Sequence, residues 1–600
     1  MQEKRLDELL TSAAQLYSQG AYAQALTVIT HALDLSPSNA KALNVRGLIY
    51  LMLGDTAEAV SSIEQAIASD TTQALFHANL CNALLANGER SKAITAGQRA
   101  VAIDAANPAN LDSLATALVA DYQYAEAQNI FARANQLDPT SINSITQGLT
   151  CARKIADFSG AKRWIETLVL LFNSPAHLNL RTKPLGDLVN LAYSDVIAPL
   201  PPGVFATLTS EIDRRLASLS STSRLHSPRS GYPIKIGYLS ERFGDHPIGH
   251  VIHEIFKLHN RTRFEVHVFS LEKHDDDPGP YAQSIREGCD HFHDLSQTSP
   301  RSAAHAIQQA ELDVLLYLDG FMSPSAPLIV AQRPAPRIYF WLGHAGELRL
   351  SCIDATIADG EVLPSEEADT YGTILRTANC YHCASPQAAS EYRDAGLQSH
   401  LDSLGKEPQP HPPFVFCAFN NPEKIDSDVF EAWMQILRAT PRSLLWLSNQ
   451  FNVPALEQNL RSAARHHGIG GERLVFAGRL RSKQEHLGRH KQADLFLDTF
   501  THTASTTALD ALWMGLPIIT LRGDRFASRI CADFLTRLEI PELICSSKSE
   551  YVQTAIALAN NRATLTTLKE RLVANVSTSS LFDPLRFIRS FEDAICKETR

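Results

Sequence analysis

Basic and hydroxyl side chains gather behind apolar runs in the second half of this 600-residue chain, where they suit an anionic ligand. Lys424 sits in NNPEKID, just past the run FVFCAFN (414–420). A lysine after a strand with a tight polar exit can hold its ammonium against a phosphate, although most lysines are simply solvated. Lys483, His486 and Arg489 in RLRSKQEHLGRH lie at i, i+3 and i+6. They could share one helix face, and so could an ordinary solvated basic helix end. THTASTTALDALWMG follows ADLFLDTF (493–500) and would open a helix at Ser505, Thr506 and Thr507. Free N–H groups and the helix dipole there bind phosphate. An ordinary N-cap would explain Ser505 alone, but not the whole run. Asp510, one turn into that helix, could accept hydrogen bonds from ribose hydroxyls. His246 and His250 fall in SERFGDHPIGH after IKIGYLS (234–240). A strand-end histidine can act as a base near neutral pH, or merely cap a helix.

Such residues need strands to place them. Short apolar runs alternate with longer amphipathic ones: IKIGYLS, FEVHVFSL (264–271), LDVLLYLDG (312–320), RIYFWLG (337–343) and DATIAD (354–359). After the Pro-containing stretch GKEPQPHPP (405–413) a second series begins: FVFCAFN, SLLWLS (443–448), RLVFAG (473–478), ADLFLDTF and LPIITL (516–521). Nearly continuous apolar strands alternating with helices predict parallel sheets covered on both faces. Two series predict two Rossmann-like, doubly wound domains, at 233–404 and 412–600. Their ligands would lie beyond the carboxyl ends of the strands. No GxGxxG follows the first strand and no P-loop is present, which argues against a dinucleotide enzyme and an NTPase.

The first third is a repeat. Ala25, Ala59, Ala93, Ala127 and Ala161 recur every 34 residues, with Ala32, Ala66, Ala100 and Ala134 in the same register. That period fits two antiparallel helices, with small residues allowing close approach. It resembles the tetratricopeptide repeat and covers about 6–175, with 176–232 as a helical connector. In the fifth unit Leu168 replaces the second alanine, as at the end of an array. Stacked repeats of this kind predict a concave surface for a protein partner.

Composition narrows the class further. With 44% hydrophobic and 20% charged residues the chain can build packed cores. A net charge of -10 gives no basic field for nucleic acid, while a local basic pocket remains compatible with it. The start MQEKRLDELL does not read as a leader, and no apolar run would span a membrane. Ten cysteines without a repeating spacing predict reduced thiols and a cytoplasmic protein. Cys380 and Cys383 form a lone CxxC around His382, with no second ligand pair at zinc spacing, so no metal site is expected.

Taken together, IKIGYLSERFGDHP, RPAPRIYFWLG, FNNPEKID, KQEHLGRH, LFLDTFTHTASTTALDALWMGLPIITLRGD and FASRICADFLTRL resemble the O-GlcNAc transferase and SPINDLY-like glycosyltransferase family, from about Pro233 onward. The resemblance implies a GT-B fold behind the α-helical tetratricopeptide solenoid. It also implies inverting transfer, with no cofactor or metal, from a nucleotide sugar to Ser or Thr of a protein held through the repeats. The donor implied most directly is UDP-GlcNAc. Another sugar such as fucose or glucose, or an adaptor whose transferase half is inactive, stays open, as does a homo-oligomer. By the same resemblance His246 matches a base or acceptor-site histidine, and Asn421 a donor contact. Lys424, Thr506 and Thr507 match diphosphate contacts, Lys483, His486 and Arg489 nucleoside contacts, and Asp510 the ribose acid. The chain departs at Ser505, where the family often has histidine. It departs also at His305 and Gln308, where animal-type members have Asp and His, and at HAGELRL in place of a YPGTSG-like loop.

Overall fold

The computed structural model describes residues 2–174, 178–219, 231, 233–273, 279–367, 371–384, 413–480 and 482–599. The expected interdomain stretch 405–412 lies outside them. The chain forms two compact units, residues 1–179 and 180–600.

The first unit is built from successive helix pairs: Gln2–Ser18 with Tyr22–Leu35, Ala40–Leu53 with Thr56–Ser69, Ala74–Ala86 with Arg90–Ile103, Pro108–Ala120 with Tyr124–Leu137, and Ile142–Lys154 with Phe158–Phe172. The 34-residue alanine register is the packing register. Ala25, Ala59, Ala93 and Ala127 have no exposed surface, nor do Ala32, Ala66, Ala100, Ala134 and Leu168. At the alanine positions a side chain larger than methyl would push the helices apart. The first helix of each pair ends on a left-handed residue at the same phase: Gly20, Gly54, Gly88, Tyr122 and Ala156, with φ of 75°, 86°, 80°, 62° and 51°. Glycine takes this conformation freely, whereas Tyr122 and Ala156 hold it against their Cβ.

The second unit begins with the helices Leu185–Ser194 and Pro202–Ala217. Its first sheet contains β1 (Ile234–Ser240), β2 (Phe264–Ser270), β3 (His291–Asp294), β4 (Val314–Tyr317), β5 (Ile338–Phe340), β6 (Ala355–Ala358) and β7 (Ile374–Arg376). The order is β3-β2-β1-β4-β5-β6-β7, and every pairing is parallel. The second sheet contains β8 (Phe414–Ala418), β9 (Ser443–Ser448), β10 (Leu474–Ala477), β11 (Leu495–Leu497), β12 (Ile518–Leu521) and β13 (Ile544–Cys545). It is likewise parallel, in the order β10-β9-β8-β11-β12-β13. β8 and β9 are buried throughout, as strands covered on both faces must be.

The two halves are tied together. The last helix, Pro584–Thr599, returns from the second half to the first, where Glu592 accepts from the Asn260 amide at 2.7 Å and meets His259 Nδ1 at 3.1 Å. Phe591 packs on Trp341, ring centroids 4.7 Å apart. The CxxC residues divide between this seam and the interior of the first half. Cys380 Sγ donates to Asp533 Oδ2 at 2.9 Å and Cys383 Sγ to the Val251 carbonyl at 2.7 Å. The two thiols thus serve different partners. All ten cysteines are free, and nine are buried. No helix among the described residues is long and apolar enough to cross a membrane.

Candidate functional site

Each sheet reverses its strand order once, between β1 and β4 in the first and between β8 and β11 in the second. Two neighbouring loops then leave in opposite directions and open a crevice. The residues singled out in the sequence lie on these loops: His246 after β1, Lys424 after β8, and Ser505 to Thr507 after β11.

Burial lowers the Lys424 ammonium to about 8, against the opposing pull of Asp498 and Glu423. Its Nζ donates to the Thr503 carbonyl at 3.0 Å. Asp498 anchors the whole crevice floor. It is fully buried and accepts from Thr499 N and Ala504 N at 2.8 Å, Asn420 Nδ2 at 3.2 Å and Thr520 Oγ1 at 2.8 Å. The loops after β8 and β11 are therefore fastened to one carboxylate. Asn421 opens the short turn that carries Lys424, its Oδ1 accepting from Glu423 N at 3.3 Å.

The helix Thr506–Trp513 starts at Ser505, which makes no side-chain cap. The first-turn N–H groups are thus left without that partner, as an anion site requires. Ser505 is committed elsewhere: its Oγ lies 3.0 Å from His382 Nε2. His382 Nδ1 is 2.8 Å from the Cys383 carbonyl and must donate there, so Nε2 accepts the Ser505 hydroxyl proton. Where the resemblance implies an imidazole at 505, the first half brings one to the same place.

Lys483 and His486 both reach Asp510. Lys483 Nζ pairs with Asp510 Oδ2, and His486 Nε2 lies 3.3 Å from the same oxygen. Burial alone would raise Asp510, but Lys483 and His486 hold it below the ordinary carboxylate range. Arg489 does not join this face as i, i+3, i+6 spacing suggested. It is buried and its guanidinium lies over the Phe419 ring, 5.1 Å from the centroid. The six steps from Lys483 to Arg489 leave Arg489 ~120° around the helix from Lys483, so it points inward. Its Nε and Nη1 have no partner among the described residues, and burial brings its pKa down to about 10.

Across the crevice, His246 caps the helix Pro247–Ile252, its Nδ1 accepting from Ile248 N at 3.2 Å. Burial and the Arg242 charge lower its pKa to about 3. A neutral ring with Nδ1 accepting carries its hydrogen on Nε2. His246 thus presents a donor, which suits an oxygen ligand better than the proton-accepting role. Behind it, Asp319 fixes the loop, accepting from Ser240 Oγ at 2.6 Å and Glu241 N at 2.8 Å. His250 bonds Asp245 at 2.8 Å, stacks near Tyr281, and feels the charges of Lys483 and Asp510. The halves face each other there.

Of the departures, His305 and Gln308 stand on the helix Pro300–Gln309. His344 of HAGELRL is buried, and burial lowers its pKa to about 3. No sequence pattern signals the roles of Asp498, Thr503 or His382: each acts through a contact distant in the chain.

The family model described as glycosyl transferase family 41 matches residues 218–382 and 398–591, and that of the tetratricopeptide repeat matches 11–74 and 53–108. The probable UDP-N-acetylglucosamine–peptide N-acetylglucosaminyltransferase SEC of Arabidopsis thaliana is 30% identical over 413 residues, which is 65% of this chain and 41% of that protein. The UDP-N-acetylglucosamine–peptide N-acetylglucosaminyltransferase of Caenorhabditis elegans is 24% identical over 487 residues, 63% of this chain and 42% of that one. A tomato (Solanum lycopersicum) relative, the probable transferase SPINDLY, is 26% identical over 364 residues, 60% of this chain and 38% of that protein. The chain thus spans about two fifths of the length of these relatives. A solved mutant O-GlcNAc transferase of Thermobaculum terrenum shares the fold, with a TM-score of 0.63 at 22% identity over 100% of this chain and 98% of that one.

Proposed function

Because the chain belongs to glycosyl transferase family 41, we propose that it transfers a sugar from a nucleotide sugar to Ser or Thr of a protein acceptor. The donor is UDP-GlcNAc, in line with the names of its relatives. The observation that carries this reading is the bond of Lys424 to the Thr503 carbonyl, three residues before the uncapped helix start at Thr506 and Thr507, on loops held by one buried Asp498.

Transfer with inversion is a single displacement. The acceptor oxygen bonds to the anomeric carbon as the bond to the diphosphate oxygen breaks, and charge builds on the leaving group. Lys424 and the N–H groups of Thr506 and Thr507 stabilise that charge in a crevice where fixed donors need no reorganisation, so no metal is required for it. Asn421 borders the same turn. Asp510, freed from part of its ion pair, accepts from the ribose hydroxyls, while Lys483 and His486 line the nucleoside side. The unpartnered N–H groups of Arg489 suit the carbonyl oxygens of a base. Ser505 contributes by holding the helix start against His382 rather than by donating to phosphate. His246 directs its Nε2–H at an oxygen of acceptor or donor, and the hydroxyl proton passes to a donor phosphate oxygen. The tetratricopeptide unit recognises the acceptor.

A second reading, the same chemistry with another donor sugar, is favoured by the buried His344 in HAGELRL. Nucleotide sugars screened for protection against thermal unfolding separate the two, since a ligand at about 100 times its Kd adds roughly 2.7 kcal/mol. Protection by UDP-GlcNAc and loss of transfer in Lys424→Ala are expected. Protection by a different sugar nucleotide alone would replace the donor, and unchanged turnover in Lys424→Ala would remove the assignment.

A further inference from the structure

A second group of chemistry-bearing side chains lies at the opposite end of the first sheet. Glu265 and His267 on β2, and His291 and His293 on β3, all project from one face, because each pair is two residues apart on its strand. His267 and His291 are directly opposite in the parallel register. Glu265 and His291 stand at the amino-terminal ends of their strands, whereas the crevice lies beyond the carboxyl ends.

The donor atoms converge. Glu265 Oε1 lies 3.0 Å from His267 Nε2 and 3.3 Å from His291 Nε2, and the three ligand atoms fall within 4.8 Å of one another. Ligand atoms on a tetrahedral zinc ion with bonds of 2.0–2.1 Å sit ~3.3 Å apart, so these separations need little adjustment. His267 is buried and its other nitrogen, Nδ1, lies 3.3 Å from His293 Nε2. That contact is the outer partner that fixes ring orientation in metal-bound histidines. Lys235, 3.8 Å from Glu265, opposes a cation but is partly drawn off by the Ala310 carbonyl at 3.3 Å. His291 is exposed, which leaves room for ion entry and for water as a further ligand.

We propose that Glu265, His267 and His291 bind a borderline divalent transition ion of the zinc class, which pins the edge strand β3 to β2. Two imidazoles and one carboxylate favour such an ion over magnesium or calcium, which prefer oxygen alone. The site revises the expectation of no metal, and it leaves the transfer chemistry metal-independent.

The test is titration of the chelator-treated full chain with Co(II), read by its visible d–d bands, and with Zn(II), read by thermal shift. The expected result is one equivalent of Co(II) with four- or five-coordinate bands and no thiolate charge-transfer band, and a rise in Tm with Zn(II). Both signals should weaken at least tenfold in His291→Ala and in Glu265→Gln. These residues are at the surface edge, and an unchanged Tm without metal shows that the variants fold. Binding retained in both variants would overturn the proposal. So would a thiolate band, which would place the ion at Asp359, Cys380 and Asp533, where Arg537 already sits 2.8 Å from Asp533 and 3.6 Å from Asp359. Absence of any stoichiometric binding would overturn it as well.

Discussion

Raising the pH above neutrality should weaken donor binding through Lys424. Its ammonium is lowered to about 8 because burial disfavours the charge. A bound diphosphate supplies the missing counter-charge and returns it toward the ordinary lysine range near 10.4. Between about pH 7 and about pH 9 the protonated fraction of the free protein falls from ~90% to ~10%, so donor affinity should fall ~10-fold by linkage. The assay is calorimetric titration of UDP-GlcNAc across that range in wild type and in Lys424→Arg, whose guanidinium does not titrate. Other groups, including the nucleoside base, titrate in both proteins, so the ratio isolates Lys424. A ratio that stays constant would refute the reasoning. The same shift has a stability sign. The folded value is below the unfolded one, so between about pH 8 and pH 10.4 the unfolded chain binds more protons and stability rises with pH. Without donor, Lys424→Met should unfold no earlier than wild type near pH 7, and the difference should shrink toward pH 10.

Further predictions rest on other parts of the chain. Asp510→Asn removes the shared partner of Lys483 and His486 and should raise the donor Kd ~10–100-fold, the worth of a hydrogen bond to a charged group; titration of the variant checks it. His246→Ala should keep donor protection yet lose turnover, and wild-type kcat/KM should show no imidazole break between about pH 5 and 7, because the ring titrates at about 3. Ala156→Gly should stabilise the chain by about 1 kcal/mol, since glycine accepts the left-handed φ that alanine resists, and the Tm of the tetratricopeptide transition reports it.

The sequence revealed the repeat and most strands because burial there is repeated or continuous. Alanines at one phase pack helix on helix, and ten apolar runs became ten strands. β3, β7 and β13 were not foreseen. All are short and stand at sheet edges, where one side lacks a neighbour and HFHD can serve as a strand without an apolar run. Loop position identified Lys424 and Thr506, because strand ends dictate where such residues lie. It could not show that His382 would meet Ser505, 123 residues away in the chain, or that Arg489 would turn inward onto Phe419. Those outcomes depend on how the two halves close and how the helix Lys483–Arg489 is rotated. Tertiary packing decides both.

The most direct test is intact-mass analysis of proteins co-expressed with this chain, wild type against Lys424→Ala. The expected result is N-acetylhexosamine-sized increments on Ser or Thr that vanish in the variant. Increments of another sugar's size would contradict the donor, and unmodified proteins throughout would contradict transfer itself.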